Sequence, residues 1–108
     1  FNVLKERGMD PKRVVVDEAA PMFFVDSTRS YAPMEFVVSD HDMENRPEQT
    51  RLMLSTIACC GHDMNRVFFQ CVENSGHCSY VGETDSNGNY VFANMVSSFI
   101  ERCEKTVQ

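Results

Sequence analysis

Met34-Glu35-Phe36-Val37-Val38-Ser39-Asp40-His41-Asp42 is the stretch on which the reading of this chain turns. A short β-rich run, 34–38, opens after Ala32-Pro33 and stops abruptly in a polar quartet. A compact apolar run between turn signals suits a buried strand of a parallel sheet. Downstream, Arg46-Pro47-Glu48 has the form of a helix start. Proline is tolerated in a first turn because its missing N–H has no partner there, and an acid favours the positive end of the helix dipole. Leu52, Met53, Ile57 and Cys60 keep approximate helical spacing and Gly61 stops it, so a helix is predicted over 47–61.

Residues 64–72, centred on Val67-Phe68-Phe69, predict a second strand. Glu73-Asn74-Ser75-Gly76-His77 follows as a turn, and Ser86-Asn87-Gly88-Asn89 is another. The segment 90–105 predicts an amphipathic helix with Phe92, Met95, Val96, Phe99, Ile100 and Cys103 on one face, read as core packing. Strand, helix, strand, helix is an α/β order, a βαβ unit plus a closing helix, and implies parallel strands. Two parallel strands make a poor core with open edges. The expectation is a sheet completed by residues outside this sequence. Upstream, residues 1–8 read as the end of a helix bounded by Gly8, Asp10-Pro11 as a break, and Arg13-Val14-Val15-Val16 through Met22-Phe23-Phe24-Val25 as a connection of short pieces.

Composition bounds the function. The chain has 108 residues, 43% hydrophobic and 24% charged, an ordinary globular mixture sized for one domain. A formal net charge of −6 lacks the basic footprint of a nucleic-acid binder. No apolar run reaches the ~20 residues of a membrane span. The opening Phe1-Asn2-Val3-Leu4-Lys5 carries neither an initiator Met nor a signal pattern, and is expected to continue a preceding segment. The five cysteines form no C-x-x-C pair and several sit in apolar stretches. They read as reduced, which favours a cytoplasmic setting.

Ligand sites of open parallel sheets lie beyond the C-terminal strand ends. Asp40, His41 and Asp42 follow the first predicted strand, and His77 follows the second. Strands about 4.8 Å apart let loops leaving the same ends bring an Asp and a His together. The carboxylate would hold the imidazole in one tautomer, and the imidazole would move a proton to and from a nucleophile.

At this point the chain resembles a family. Val37-Val38-Ser39-Asp40-His41-Asp42-Met43-Glu44-Asn45-Arg46 is similar to the α/β-hydrolase segment in which a strand ends in a G-D-x-D type turn, with Ser39 where Gly is common. Gly76-His77-Cys78-Ser79-Tyr80 looks like the loop that carries the catalytic histidine. The pattern is most similar to carbohydrate-type acetyl and feruloyl esterases of the group related to hormone-sensitive lipase, and Asp17-Glu18-Ala19-Ala20-Pro21 resembles the stretch before the acid strand in that group. The resemblance implies that residues 1–108 are the C-terminal portion of a single α/β-hydrolase domain, with a nucleophile-bearing N-terminal portion elsewhere. It implies Asp42 as triad acid, His77 as triad base, a carboxylic-ester substrate, and no cofactor or metal. The chain holds no G-x-S-x-G elbow and no His-Gly-Gly loop, so it supplies neither nucleophile nor oxyanion donor.

Blander readings stand beside each signal. An Asp at a strand end is often a turn former or cap, and Asp40 reads as structural, satisfying loop amides. His41 and His62 read as surface residues, and Arg46 as a surface ion-pair partner. Cys78 beside His77 suggests a thiol nucleophile, but adjacent side chains usually point apart. Asp40, His41, Asp42, His77 and Cys78 match no defensible metal-ligand spacing. A peptidase on the same fold and a non-catalytic hydrolase-like binding module are the alternatives to an esterase.

Overall fold

The computed structural model describes residues 20–107, together with Glu6, Gly8 and Glu18. Of the helix end expected in 1–8, Glu6 is helical and Gly8 has a φ of 71°; the other residues of that segment, the break at Asp10-Pro11 and the 13–16 run lie outside those described. The connection that follows begins as a short 3-10 turn, Pro21–Phe24.

Strand β1 spans Met34–His41 and β2 spans Val67–Gly76. They pair in parallel as a two-stranded sheet, with Met34 opposite Val67 and Ser39 opposite Val72. Helix α1, Arg46–Cys59, connects them, and helix α2, Val91–Val107, closes the chain. The expected α/β order is therefore present, with parallel strands. Both strands outrun the predicted ones at their C-terminal ends. The predicted start of β2, 64–66, is instead a 3-10 turn, Met64–Arg66, whose Asn65 amide donates to the Asp63 side chain.

Side chains alternate across a strand, so parity decides which helix covers which face. Met34 lines a small apolar hollow with Met53 and Ile57, which places α1 on the face of Met34, Phe36 and Val38. Glu35 and Phe68, paired across the strands, meet α2 on the other face. The Phe99 ring stands edge-on to Phe68 at 6.1 Å, and Arg102 lies over Phe68 while bonding the Glu35 carboxylate at 3.2 Å. Among the described residues the core is small: Val38, Ile57, Tyr80 and Met95 are the buried apolar residues, and Ser39 and Ser75 are buried as well.

Two amphipathic stripes fall short of the sequence expectation. In α1, Ile57 is buried and lines the apolar hollow beside Met34 together with Met53, while Leu52 is exposed. In α2, Met95 is buried, while Phe92, Val96 and Ile100 stay exposed. The apolar arc of that helix is wider than two strands can cover. Among the described residues no helix is long and apolar enough to cross a membrane.

Candidate functional site

The geometry of the site follows from what happens where the two strands end. After Ser39 and Val72 the regular register breaks, and the next pairing is His41 with Gly76. β1 thus advances two residues while β2 advances four. The surplus is absorbed as a bulge with Asn74 at a φ of 53°. Asp40 holds that bulge. Its carboxylate accepts hydrogen bonds from the Asn74 amide at 2.8 Å and the Ser75 amide at 3.0 Å. These donors would otherwise lack strand partners. The expected turn at 73–77 is therefore strand as far as Gly76, clamped by a side chain from the neighbouring strand.

The amides of Ser75 and then Asn74 hold the Asp40 carboxyl below its usual range, against an opposing push from desolvation, with His41 adding to the depression. A carboxyl with a lowered folded pKa stabilises the fold above its unfolded value and loses that contribution as pH falls through the folded one. We predict that Asp40→Ala is less stable than the native protein at neutral pH. The variant should lose less further stability than the native protein below roughly pH 4, the ordinary carboxyl range. Circular-dichroism unfolding curves across the acid range check both halves. Equal slopes for the two proteins would contradict the clamp.

Beyond the clamp, His77 leaves β2 and turns toward the end of β1. Its Nδ1 lies 2.7 Å from Asp42 Oδ1, across 35 residues of sequence. Asp42 is itself locked. Oδ1 also accepts from the Met43 amide at 2.7 Å, and Oδ2 from the Ser39 amide at 3.5 Å. Its side chain is 6% exposed, against 48% for His77. Burial is the largest influence on the Asp42 carboxyl and pushes it up. The bonds from Met43, His77 and Ser39, with the charge of the imidazole, outweigh burial and leave the carboxyl below its usual value. A carboxylate on Nδ1 fixes the tautomer with Nδ1–H donating, which frees Nε2 to act as acceptor. Such a pair can orient an imidazole and stabilise it when protonated.

Other residues of the neighbourhood support this pair. Gly76 allows a close approach: a Cβ there would stand 3.1 Å from Ser79 Oγ. Tyr80, buried under the site, had no sequence signal beyond its place after the histidine. Burial raises its phenol above the usual value, and charge at Cys78 and Asp42 raises it further. Ser39 is fully buried and its hydroxyl oxygen has no hydrogen-bond partner, so the residue serves through its backbone amide.

The remaining candidates separate from the pair. His41 is exposed and bonds through Nδ1 to Asp40, its neighbour, at 2.9 Å. His62 is not the surface residue expected: it is half-buried and packs on the Tyr31 ring, with centroids 4.7 Å apart. It lines a hollow of about 200 Å³ with Tyr31 and Arg66, at the strand ends where Met34 and Val67 begin. That hollow contains neither Asp42 nor His77. Arg46 is exposed at the start of α1. Among the described residues no three His, Cys, Asp or Glu side chains are grouped to hold a metal. No disulfide joins any of the cysteines. Comparisons of the chain with protein-family models, with curated proteins and with solved structures found no match.

Proposed function

We propose that this chain supplies the acid and base of a serine hydrolase acting on carboxylic esters, within an α/β-hydrolase domain whose nucleophile lies outside residues 1–108. The hydrogen bond between Asp42 Oδ1 and His77 Nδ1 carries the reading. A nearly buried carboxylate is fixed by two backbone amides and faces a half-exposed imidazole, whose Nε2 has the Cys78 thiol 3.7 Å away as its neighbour. The chain order of acid before base agrees with that fold.

In the proposed reaction a serine hydroxyl attacks the ester carbonyl and its proton passes to His77 Nε2. Asp42 stabilises the imidazolium so formed. His77 then gives the proton to the leaving alkoxide, which departs as the alcohol. Water, deprotonated by the same nitrogen, attacks the acyl-enzyme and releases the acid. The exposed apolar side chains of Phe92, Val96, Ile100 and Phe69 favour a larger body that covers both this helix and this sheet. Acetyl or feruloyl sugar esters as substrates rest on the sequence resemblance, and a reducing, cytoplasmic setting on the cysteines. The chemistry requires no cofactor.

The test is a fluorophosphonate probe on the full-length gene product. The expected result is a single adduct, located by peptide mapping on a serine outside residues 1–108. A full-length protein that takes no label, or takes it only on a serine within these residues, defeats the reading.

A further inference from the structure

The strand ends opposite Asp42 and His77 carry a second cluster, drawn from separate parts of the sequence. Arg29, His62 and Arg66 line the hollow of about 200 Å³ where Met34 and Val67 begin. Two of them are unserved. Arg66 is half-buried, yet among the described residues its guanidinium has no ion pair and no hydrogen bond. His62 packs on Tyr31, and its Nε2 is buried without a hydrogen-bond partner. Buried polar atoms are nearly always paired, so an orphan marks strain or a missing partner. Two acids stand nearby, and their own loops occupy both. The Asp63 carboxylate accepts from the Asn65 amide, and the Asp26 carboxylate from the Thr28 amide and hydroxyl. Arg29 touches Asp26 only loosely, Nε to Oδ2 at 3.8 Å across exposed side chains. The adjoining surface is apolar. Phe23 and Phe24 are exposed, and with Val25 they line a second hollow that shares Ser27 and Arg29 with the first. Apolar walls with a few placed charges are the make-up of a small-molecule site.

We propose that this end of the sheet binds a small amphiphilic anion, a carboxylate or phosphate head on an apolar body. Arg66 takes the head, because a guanidinium fork matches two oxygens of one oxyanion. Arg29 exchanges its loose contact with Asp26 for the same head, since an exposed ion pair of that length holds it weakly. The oxyanion also brings acceptor atoms to the wall that holds His62. The apolar body lies along Phe23 and Phe24 and covers aromatic surface that faces water. The site uses neither Asp42 nor His77, and it does not depend on the serine of the proposed function.

The experiment is isothermal titration of the full-length protein at neutral pH and low salt, with octanoate and octyl phosphate as probes. Acetate and inorganic phosphate supply the head alone, and octanol supplies the body alone. The expected result is saturable binding of octanoate or octyl phosphate about ten-fold or more tighter than any partial probe, because charge and apolar surface both contribute. The tighter of the two probes identifies the head. Arg66→Ala should weaken that binding about ten-fold, the worth of one charge-assisted pair. Arg66→Lys, which keeps the charge without the fork, should fall between. Phe23→Ser should weaken the amphiphile and leave the bare head unaffected. Arg46→Ala removes an exposed arginine at the start of α1 and should change nothing. Thermal unfolding curves show that each variant is folded. Absence of saturable binding by either amphiphile at millimolar concentration overturns the inference. So does octanol binding as tightly as the anions, or binding that survives both Arg66→Ala and Phe23→Ser unchanged, which places it elsewhere on the protein. Fluorophosphonate labelling bears on the serine alone, so each reading can fail without the other.

Discussion

On the proposed function, replacing His77 with alanine is expected to lower ester turnover by the full-length protein by about 10⁴- to 10⁶-fold, the range for removing the base of a serine triad. The argument is one of proton balance. A serine hydroxyl is a weak nucleophile until a base takes its proton, and the leaving alkoxide needs that proton back. His77 Nε2 is the nitrogen that both proposed transfers use, because Nδ1 is engaged by Asp42; the Cys78 thiol 3.7 Å from Nε2 would yield its place to the serine. Fluorophosphonate labelling, which depends on the same activated serine, falls with turnover. The fold should survive, since His77 is half-exposed and follows the Asp40 clamp in sequence without forming part of it. Steady-state rates with an aryl acetate, alongside a thermal unfolding curve, check the expectation. Turnover within ten-fold of the native rate in a folded His77→Ala protein would remove this histidine from the reaction.

Asp42→Asn is expected to lower kcat by about 10⁴-fold, with KM little changed. The carboxylate touches no substrate in the proposed reaction. Its part is positioning: it accepts a hydrogen bond from Nδ1–H and thereby assigns the tautomer. An amide of the same size can offer its NH₂ to Nδ1 instead, which turns the acceptor nitrogen away from the serine. Asparagine still offers one oxygen to the Met43 or Ser39 amide, so the turn is largely retained. A structural defect alone would raise KM or lower stability, while a tautomer defect falls on kcat. Asp40→Asn supplies the contrast. Asp40 serves backbone amides and an exposed histidine, so kcat should change far less. Comparable losses of kcat in the two variants would contradict the separate roles given to these acids.

The two acids illustrate how far a sequence can be read at such a site. Asp40 and Asp42 flank one histidine in a turn, and both follow an apolar run that ends a strand. Composition alone does not rank them. The resemblance favours Asp42, and Asp40 reads as a partner of loop amides. The geometry agrees with that division of contacts: Asp40 faces the Asn74 and Ser75 amides, and Asp42 faces the imidazole. Ser75, Ser79 and Tyr80 read as flanking the histidine and lining its pocket, and the burial of Tyr80 was not legible because nothing local distinguishes a buried tyrosine from an exposed one in a loop. Cys78 reads as pointing away from His77, and the left-handed conformation that brings its thiol to 3.7 Å from Nε2 leaves no mark in a His-Cys dipeptide. His62 read as exposed because its cover, Tyr31, lies 31 residues earlier in the chain.

What the sequence determined by itself is local and periodic. Apolar runs bounded by turn residues located both strands, Pro47 and Gly61 bracketed α1, and the apolar stripe from Phe92 to Cys103 located α2, though only Met95, Phe99 and Cys103 of its six members turn inward. Backbone sterics and side-chain periodicity act within a few residues, so they can be read from neighbours. Only the tertiary structure decided that β2 runs on to Gly76, that Asp42 meets Nδ1 of His77, and that Phe92, Val96 and Ile100 find no cover. Each of these depends on the register between strands and on the number of strands present to bury a face. Register and cover are properties of segments far apart in the chain. The energy that fixes them comes from contacts which a single segment does not contain.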